Sequence, residues 1–427
     1  MFQLPRGTRD FTPDEMEKRR FVEKKIAATF RLFGYGEIQT PTFENVELFT
    51  AKSGENIINE IYSFADKGGR NIALRPELTA PVIRCYVERL QMEPKPLKLF
   101  YFGNCFRYDR PQKGRYREFW QAGCELIGAN TPEAHAELIA LAYTILKDLG
   151  LQDIQLHIGN LTIIQAMFTR LGLSKDDQKT LLPLIDKSQF DEVLSLLVGD
   201  LSLSSKDAER FITVLQTSDS EVVRDYIKDS PSAVEEVVKM EQILHLLQTA
   251  FHVQKQHLSL KMSIVRGLDY YKGVVFEIEA PKLGAEKQLC GGGIYDLVTL
   301  FGGTDVPTAG FAIGFDRTLL ALETEHFTFP EPSLDVFVIP VNEDMIETSM
   351  ELVEQLRHHG FSVDFDQLRR GIGKSLKYAA ARHAQHTIIV GPKELEKDSV
   401  TLRDMKTGAQ EVVALDTLVK KMKNITA

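Results

Sequence analysis

The stretch KLFYFGNCFRYDRPQKGRYREFWQAGCELIG, residues 98–128, decides the fold of the larger part of this chain. Its residues alternate with period two, as in half-buried β-strands. The first arm places Phe100, Phe102 and Phe106 on one face, and the second arm places Gln121 and Glu125 together on one face. The segment RPQKGR between the arms contains a proline and a glycine, which favour turns. The pattern predicts a long antiparallel hairpin with a polar row on one face.

The tip of this hairpin is basic. Residues 107–118 hold five basic and two acidic side chains in a protein of formal net charge −9. Charge alone favours a solvated loop. However, Arg107 shares its face with Gln121 and Glu125, and arginine offers a planar, permanently charged fork for phosphate. These residues indicate a small zwitterionic substrate bound beside a nucleotide.

Composition limits the class of protein. The 427 residues are 43% hydrophobic and 26% charged, which is typical of a globular chain with two or three domains. No apolar run approaches the ~20 residues of a membrane helix. The opening MFQLPRGTRD lacks the apolar core of a signal peptide, so we expect a cytoplasmic protein. Four cysteines without a CxxC pair indicate neither a disulfide framework nor a cysteine-built metal site.

The hydrophobic periodicity predicts two domains. Residues 1–328 read as an α+β domain with an antiparallel sheet, interrupted at 161–256 by a helical insertion without catalytic-looking residues. The proline-punctuated segment 329–335 reads as a linker. Residues 336–427 alternate strands and helices, which predicts an α/β domain with a mixed sheet.

Four further segments carry candidate binding residues, and three of them also have an ordinary explanation. Glu77 and Thr79 lie at a strand-to-helix junction, where helix capping alone explains them. The turn RGLDYYKG (266–273) contains an arginine and two tyrosines beside a buried-looking strand. Arg317 falls in the first turn of a helix, where it either binds phosphate or faces solvent. Residues 367–382 hold five basic side chains and no acid, which fits a nucleic-acid surface or a solvated helix equally.

Taken together, these motifs resemble the histidyl-tRNA synthetases, a family of class II aminoacyl-tRNA synthetases. The resemblance runs over nearly the whole chain, and RGLDYYKG with the long hairpin is its most specific part. Six segments occur in the family's order: RGTRDF (6–11), GYGEIQTPTFE (34–44), LRPELT (74–79), FRYDRPQKGRYREFWQAGCE (106–125), RGLDYYKG (266–273) and AGFAIGFDR (309–317).

The resemblance implies roles for the small-substrate residues. Arg107 would hold the α-phosphate of ATP, and Arg266 would bridge that phosphate and the histidine carboxylate. Arg115 and Arg317 would hold the outer phosphates, and Asp109 would bind on the adenine side. The substrate's α-amino group would be bound by Glu77, Thr79 and Gln121. The imidazole would be held by Glu125 and Tyr271, with Tyr270 closing the pocket.

The resemblance also implies partners. The reaction would use ATP with Mg²⁺, without a metal site built from protein side chains, and would transfer histidine to tRNA(His). The hairpin tip would meet the acceptor end of the tRNA through Arg110, Gln112 and Lys113. The C-terminal domain would read the anticodon, with Lys374 and Lys377 on its basic helix. A homodimer is expected, with neither DNA nor a membrane as partner.

Two residues depart from the family pattern. The family usually has glutamate at Asp109, so the adenine contact is expected to be shorter or water-mediated. It often has arginine at Ile294, which puts a phosphate or tRNA role at that position in doubt.

Other classes remain open on sequence alone. They are a non-catalytic regulatory paralogue, a class II synthetase for threonine, proline or glycine, and a tRNA sensor that does not activate an amino acid. The domain-sized segment after the linker and the retained arginines argue against the first. Tyr271 and Glu125 argue against the second.

Overall fold

The computed structural model describes residues 2–53, 55–110, 114–265, 271–330 and 333–426. The chain divides into two compact units, residues 1–12 with 19–328, and residues 13–18 with 329–427. None of the described helices is long and apolar enough to cross a lipid bilayer.

Up to residue 328 the described strands and helices are mixed, with six helices in succession between residues 161 and 249. The strands are Gly36–Glu37 (β1), Phe43–Asn45 (β2), Ser63–Ala65 (β3), Asn71–Leu74 (β4), Leu97–Phe106 (β5), Glu118–Ile127 (β6), Gln155–Asn160 (β7), Leu258–Leu260 (β8), Tyr271–Glu279 (β9), Gln288–Tyr295 (β10) and Thr308–Gly314 (β11). The helices are Pro13–Leu32 (α1), Val46–Ser53 (α2), Thr79–Cys85 (α3), Pro132–Asp148 (α4), Leu161–Arg170 (α5), Lys175–Asp186 (α6), Phe190–Val198 (α7), Ser205–Gln216 (α8), Ser220–Tyr226 (α9), Pro231–Thr249 (α10) and Phe315–Thr324 (α11).

The main sheet of the first unit carries the site. Among the described residues it has the strand order β1-β5-β6-β11-β10-β9-β7-β8. Its central pairs are antiparallel, and the two edge pairs β1/β5 and β7/β8 are parallel. A smaller antiparallel sheet has the order β2-β4-β3. The two strands expected around RGLDYYKG are β8 and β9, and β7 lies between them.

The hairpin predicted at 98–128 is confirmed as β5 and β6, which pair Gly103 with Gln121 and Leu99 with Glu125. One face of this hairpin is apolar and packs against α1. There the ring of Phe30 stacks on Phe100 with 4.9 Å between centroids. Burying such aromatic rings stabilises the domain by about 1.5–3 kcal/mol each. This packing leaves the opposite face, with the polar row, available for a site.

The second unit has an α/β fold with a mixed sheet. Its strands are Leu334–Pro340 (β12), Val363–Phe365 (β13), Ala384–Val390 (β14), Ser399–Asp404 (β15) and Gln410–Ala414 (β16). Its helices are Ile346–His358 (α12), Ile372–Ala381 (α13), Pro392–Leu395 (α14) and Leu415–Thr426 (α15). The order is β13-β12-β14-β15-β16, with parallel pairs around β12 and antiparallel pairs beyond β14. The α+β and mixed α/β folds expected for the two parts of the chain are both confirmed.

Candidate active site

A cavity of about 420 Å³ lies on the polar face of the main sheet. It is lined by residues from β6, β9, β10 and β11, from the connection that follows β5, from α2 and from the starts of α3 and α11. Eight of the predicted site residues line it: Glu77, Thr79, Arg107, Asp109, Arg115, Gln121, Tyr271 and Arg317. Segments far apart in the chain therefore meet at one cavity, as the sequence motifs predicted.

Two arginines at the cavity are held by backbone and side-chain acceptors. Arg107 donates from Nε to the carbonyl of Pro76 over 2.9 Å. Arg317 donates to the carbonyl of Gln288 over 3.2 Å and forms an ion pair with Glu286. These contacts fix both guanidinium groups at the wall of the cavity, where an anionic group would find a rigid, charged fork.

The third arginine lies nearer to solvent. Arg115 and Asp109 are each 44% exposed, and the Nε of Arg115 is 3.7 Å from the Oδ2 of Asp109. An exposed pair at this distance contributes little to stability. Both side chains are therefore able to change partners when a ligand enters.

Glu77 caps the start of a helix and also lines the cavity. Its carboxylate accepts hydrogen bonds from the backbone N–H groups of Thr79, at 2.7 Å, and Ala80, at 3.2 Å, so it satisfies donors at the start of α3. It also lies 3.3 Å from the Nζ of Lys52, and both side chains are largely buried. No sequence pattern pointed to Lys52, because that residue lies on another helix.

Glu125 is buried below the cavity and does not line it; the residue is 1% exposed. The hydroxyl of Tyr101 donates to its Oε1 over 3.0 Å, and the hydroxyl of Tyr295 donates to its Oε2. Burial raises the pKa of Glu125 to about 8, although hydrogen bonds from Tyr295, Thr79 and Tyr101 favour the ionised form. Glu125 therefore holds a proton at neutral pH in the ligand-free protein.

Two glycines make room for this buried cluster. A Cβ at Gly310 would lie 2.0 Å from the Oε2 of Glu125, and a Cβ at Gly123 would lie 2.6 Å from the hydroxyl of Tyr101. No larger residue fits at either position without displacing the cluster. A Cβ at either position would also lie 2.5 Å from a backbone carbonyl oxygen of the neighbouring strand, so the strand packing and the buried cluster together require glycine.

Tyr271 and Tyr295 form the wall above Glu125. Their rings meet edge to face with centroids 6.4 Å apart, and both side chains line the cavity. The hydroxyl of Tyr101 is 3.4 Å from the Oγ1 of Thr79, which links this wall to α3. Tyr101 and Tyr295 were missed from the sequence. Tyr101 shares the face of Gln121 by alternation, so the period-two pattern contained that signal.

The remaining predicted residues fall in three groups. Arg110 is exposed next to the hairpin tip, and Lys374 and Lys377 are exposed on α13 of the second unit. Four positions lie outside the described residues: Gln112, Lys113, Arg266 and Tyr270.

Comparison with known proteins decides the family. Residues 7–318 match the family model described as histidyl-tRNA synthetase, and residues 335–425 match that of an anticodon binding domain. The chain belongs to the histidyl-tRNA synthetase family. The resemblance drawn from the six sequence motifs is confirmed.

Individual members of the histidyl-tRNA synthetase family match over nearly full length. The histidine–tRNA ligase of Methanocaldococcus jannaschii is 43% identical, with 98% of this chain and 99% of that protein covered. The crystal structure of apo S. aureus histidyl-tRNA synthetase is 30% identical, with a TM-score of 0.73 and coverage of 99% and 100%. A Bacillus halodurans structure, described as an ATP phosphoribosyltransferase regulatory subunit/histidyl-tRNA synthetase, is 25% identical with a TM-score of 0.77. It covers 88% of this chain and 96% of its own.

Proposed function

We propose that this synthetase activates histidine with ATP in the 420 Å³ cavity and transfers it to the 3′ end of tRNA(His), releasing AMP and pyrophosphate. The observation that carries the proposal is that three arginines and a wall over a buried tyrosine–glutamate cluster meet at one cavity. Phosphates suit the arginines, which we call the phosphate end, and a small ring with two nitrogen atoms suits the cluster, which we call the amino-acid end.

The amino-acid end is proposed to recognise histidine as follows. Tyr271 and the protonated Glu125 offer hydrogen bonds to the two ring nitrogens, and Tyr270 closes the pocket. Glu125 is reached once Tyr295 shifts, because the hydroxyl of Tyr295 covers one of its oxygens. The α-amino group binds at Glu77, Thr79 and Gln121.

The activation step needs positioning and charge more than acid–base chemistry. The carboxylate of histidine is ionised near neutral pH and attacks the α-phosphorus of ATP in line. Arg107 and Arg266 offset the negative charge that builds on the phosphate oxygens. Arg115 and Arg317 hold the outer phosphates, and Asp109 lies on the adenine side. Pyrophosphate leaves, and a terminal ribose hydroxyl of the tRNA then attacks the adenylate.

Mg²⁺ is proposed to accompany ATP. Mg²⁺ prefers oxygen ligands and is usually held by one or two carboxylates together with substrate phosphates. Glu277 lines the cavity and Glu286 forms an ion pair with Arg317 at its wall, so these carboxylates would hold such an ion together with the phosphates of ATP. Within the described residues no group of three or more acidic, histidine or cysteine side chains forms a metal site. Bound there, Mg²⁺ would neutralise charge on the phosphates.

The tRNA is proposed to contact both units. Arg110, Gln112 and Lys113 at the hairpin tip would meet the acceptor end, and Lys374 and Lys377 on α13 would lie near the anticodon. The match of residues 335–425 to an anticodon binding domain supports the second contact. It also argues against a regulatory paralogue without that domain, as do Arg107 and Arg317 at the cavity.

A homodimer is proposed from an exposed apolar surface. On the small β2-β4-β3 sheet Phe43 is 55% exposed and Phe64 is 49% exposed. Large exposed aromatic side chains on one sheet are typical of an interface. Light scattering on the purified protein would measure twice the chain mass. Because charged tRNA serves translation, we also propose a cytoplasmic location.

Charging of unfractionated tRNA tests the proposal. The protein is incubated with ATP, Mg²⁺ and tRNA in twenty reactions, each with one labelled amino acid. We expect acid-precipitable label with histidine alone. Charging with threonine, proline or glycine would overturn the proposal, and so would the absence of charging in all twenty reactions.

A further inference from the structure

The carboxylate of Asp316, in the first turn of α11, collects three donors. Its Oδ1 accepts hydrogen bonds from the Nη2 of Arg9 and the Nη1 of Arg19, both over 2.8 Å. Its Oδ2 accepts one from the backbone N–H of Trp120 over 2.9 Å. The side chain of Asp316 is only 5% exposed. A buried carboxylate is expensive unless charge and hydrogen bonds compensate it, so these three contacts act as a unit.

Asp316 connects the two ends of the cavity. It precedes Arg317, which we assign to the outer phosphates, and Trp120 precedes Gln121, which we assign to the amino acid. The hydrogen bond between Asp316 and the Trp120 backbone therefore fixes the start of α11 against β6. A shift of Asp316 would move the phosphate end relative to the amino-acid end.

Arg9 extends this connection to the hairpin tip. The centre of its guanidinium lies 3.3 Å from the centroid of the Tyr116 ring, close enough for a strong cation–π contact. The carbonyl of Gly7 accepts a hydrogen bond from the backbone N–H of Arg117 over 2.9 Å. The N-terminal segment thus lies against the residues that follow Arg115.

Arg19 shares the same carboxylate oxygen but has a different environment. Its guanidinium lies 4.1 Å from the ring of Phe11, 4.6 Å from that of Trp120 and 4.8 Å from that of Phe315. Arg19 therefore packs among three aromatic rings, whereas Arg9 contacts Tyr116 in the loop that carries Arg115.

We propose that Arg9 is a positioning residue for ATP. Through Asp316 and Tyr116 it sets the distance between Arg317 and Arg115, which grip the same triphosphate from two elements. The inference rests on the proposed function, because it uses the phosphate roles of those arginines. Positioning of this kind matters because a misplacement of about 1 Å costs about a hundredfold in rate.

The test compares Arg9→Met and Tyr116→Leu with Tyr116→Phe and the control Arg20→Met. Arg20 follows Arg19 on α1 but pairs with Glu23 at the surface. In histidine-dependent pyrophosphate exchange we expect the KM for ATP to rise about five- to twentyfold in the first two variants, with the KM for histidine within about twofold. Tyr116→Phe and Arg20→Met should behave as wild type.

A second measurement separates this inference from the proposed function. Trp120 is the only tryptophan of the chain and lines the cavity, so its fluorescence reports ATP binding without any amino acid. If the wild type binds ATP but shows no pyrophosphate exchange with histidine, the proposed function is overturned. In that case, weaker ATP binding by Arg9→Met and Tyr116→Leu would still support the positioning role of Arg9. Unchanged ATP affinity in both variants would overturn the inference. Equal rises in both KM values, or a lower Tm alone, would also overturn it.

Discussion

Replacement of Glu125 by glutamine tests the buried acid at the amino-acid end of the cavity. Its pKa is raised by burial from 4.5 to about 8, so between these values the folded protein keeps a proton that the unfolded chain releases. Stability falls with rising pH wherever the folded state binds more protons. The contribution of Glu125 is therefore fully present below pH 4.5 and is lost as the pH rises through about 8.

The size of this loss follows from the shift. Each pKa unit corresponds to about 1.4 kcal/mol of unfolding free energy, so the stability lost between the two pKa values is at most about 5 kcal/mol. Because a buried site relaxes, we expect the free energy of unfolding to fall by about 1 kcal/mol per pH unit. For a domain of this size that lowers the Tm by about 2 °C per pH unit. The glutamine of the variant cannot titrate, and its amide keeps one acceptor oxygen and replaces the hydroxyl donor of the neutral acid with an NH2 donor. From about pH 5.5 to about pH 7.5 the Tm of wild type should fall by about 4 °C relative to Glu125→Gln.

Calorimetry of the ligand-free proteins at several pH values across this window measures the difference. All other titrating groups are common to both proteins, so subtraction isolates Glu125. Glu137→Gln, which removes a half-exposed carboxylate paired with Lys98 over 2.6 Å, controls for the loss of an acid. Parallel Tm curves for wild type and Glu125→Gln would refute the reasoning about the buried proton.

Three further variants test the assigned roles. Arg266→Ala should lower adenylate formation by about two to three orders of magnitude, because a charge partner of the α-phosphate is lost; near-normal turnover in single-turnover assays would contradict this. Arg317→Met should raise the KM for ATP much more than the KM for histidine, and an equal rise in both would remove Arg317 from the phosphate end. Reversing the charge of Lys374 and Lys377 should weaken tRNA binding and reduce its salt dependence, while pyrophosphate exchange stays unchanged. Loss of pyrophosphate exchange in this variant would count against separate roles for the two units.

The hairpin was predictable because its signal is local. Period-two alternation and the burial of one face together fix which side chains share a face, and Gly103 and Gln121, which pair across the hairpin, share one as expected. The same pattern placed Gln121 at the cavity. It placed Glu125 on the correct face, and alternation puts Tyr101 on the same face, but it could not show that Tyr295 covers Glu125, because Tyr295 comes from a strand 170 residues away.

The long-range contacts of the arginines were beyond the sequence pattern. Arg317 was expected at a helix start, where it lies, but its ion pair with Glu286 depends on a segment between β9 and β10. Arg9 and Asp316 are separated by 307 positions, and neither has a local feature that points to the other. Such pairs are set by how the strands assemble, which composition and periodicity do not specify.

Amino-acid-dependent pyrophosphate exchange tests the proposed activity most directly. The purified protein is given ATP, Mg²⁺ and labelled pyrophosphate with each of the twenty standard amino acids in turn, without tRNA. We predict that label enters ATP with histidine alone and that Arg107→Met reduces this exchange strongly. Exchange with another amino acid, or none with histidine, would contradict the claim that this cavity makes histidyl-adenylate.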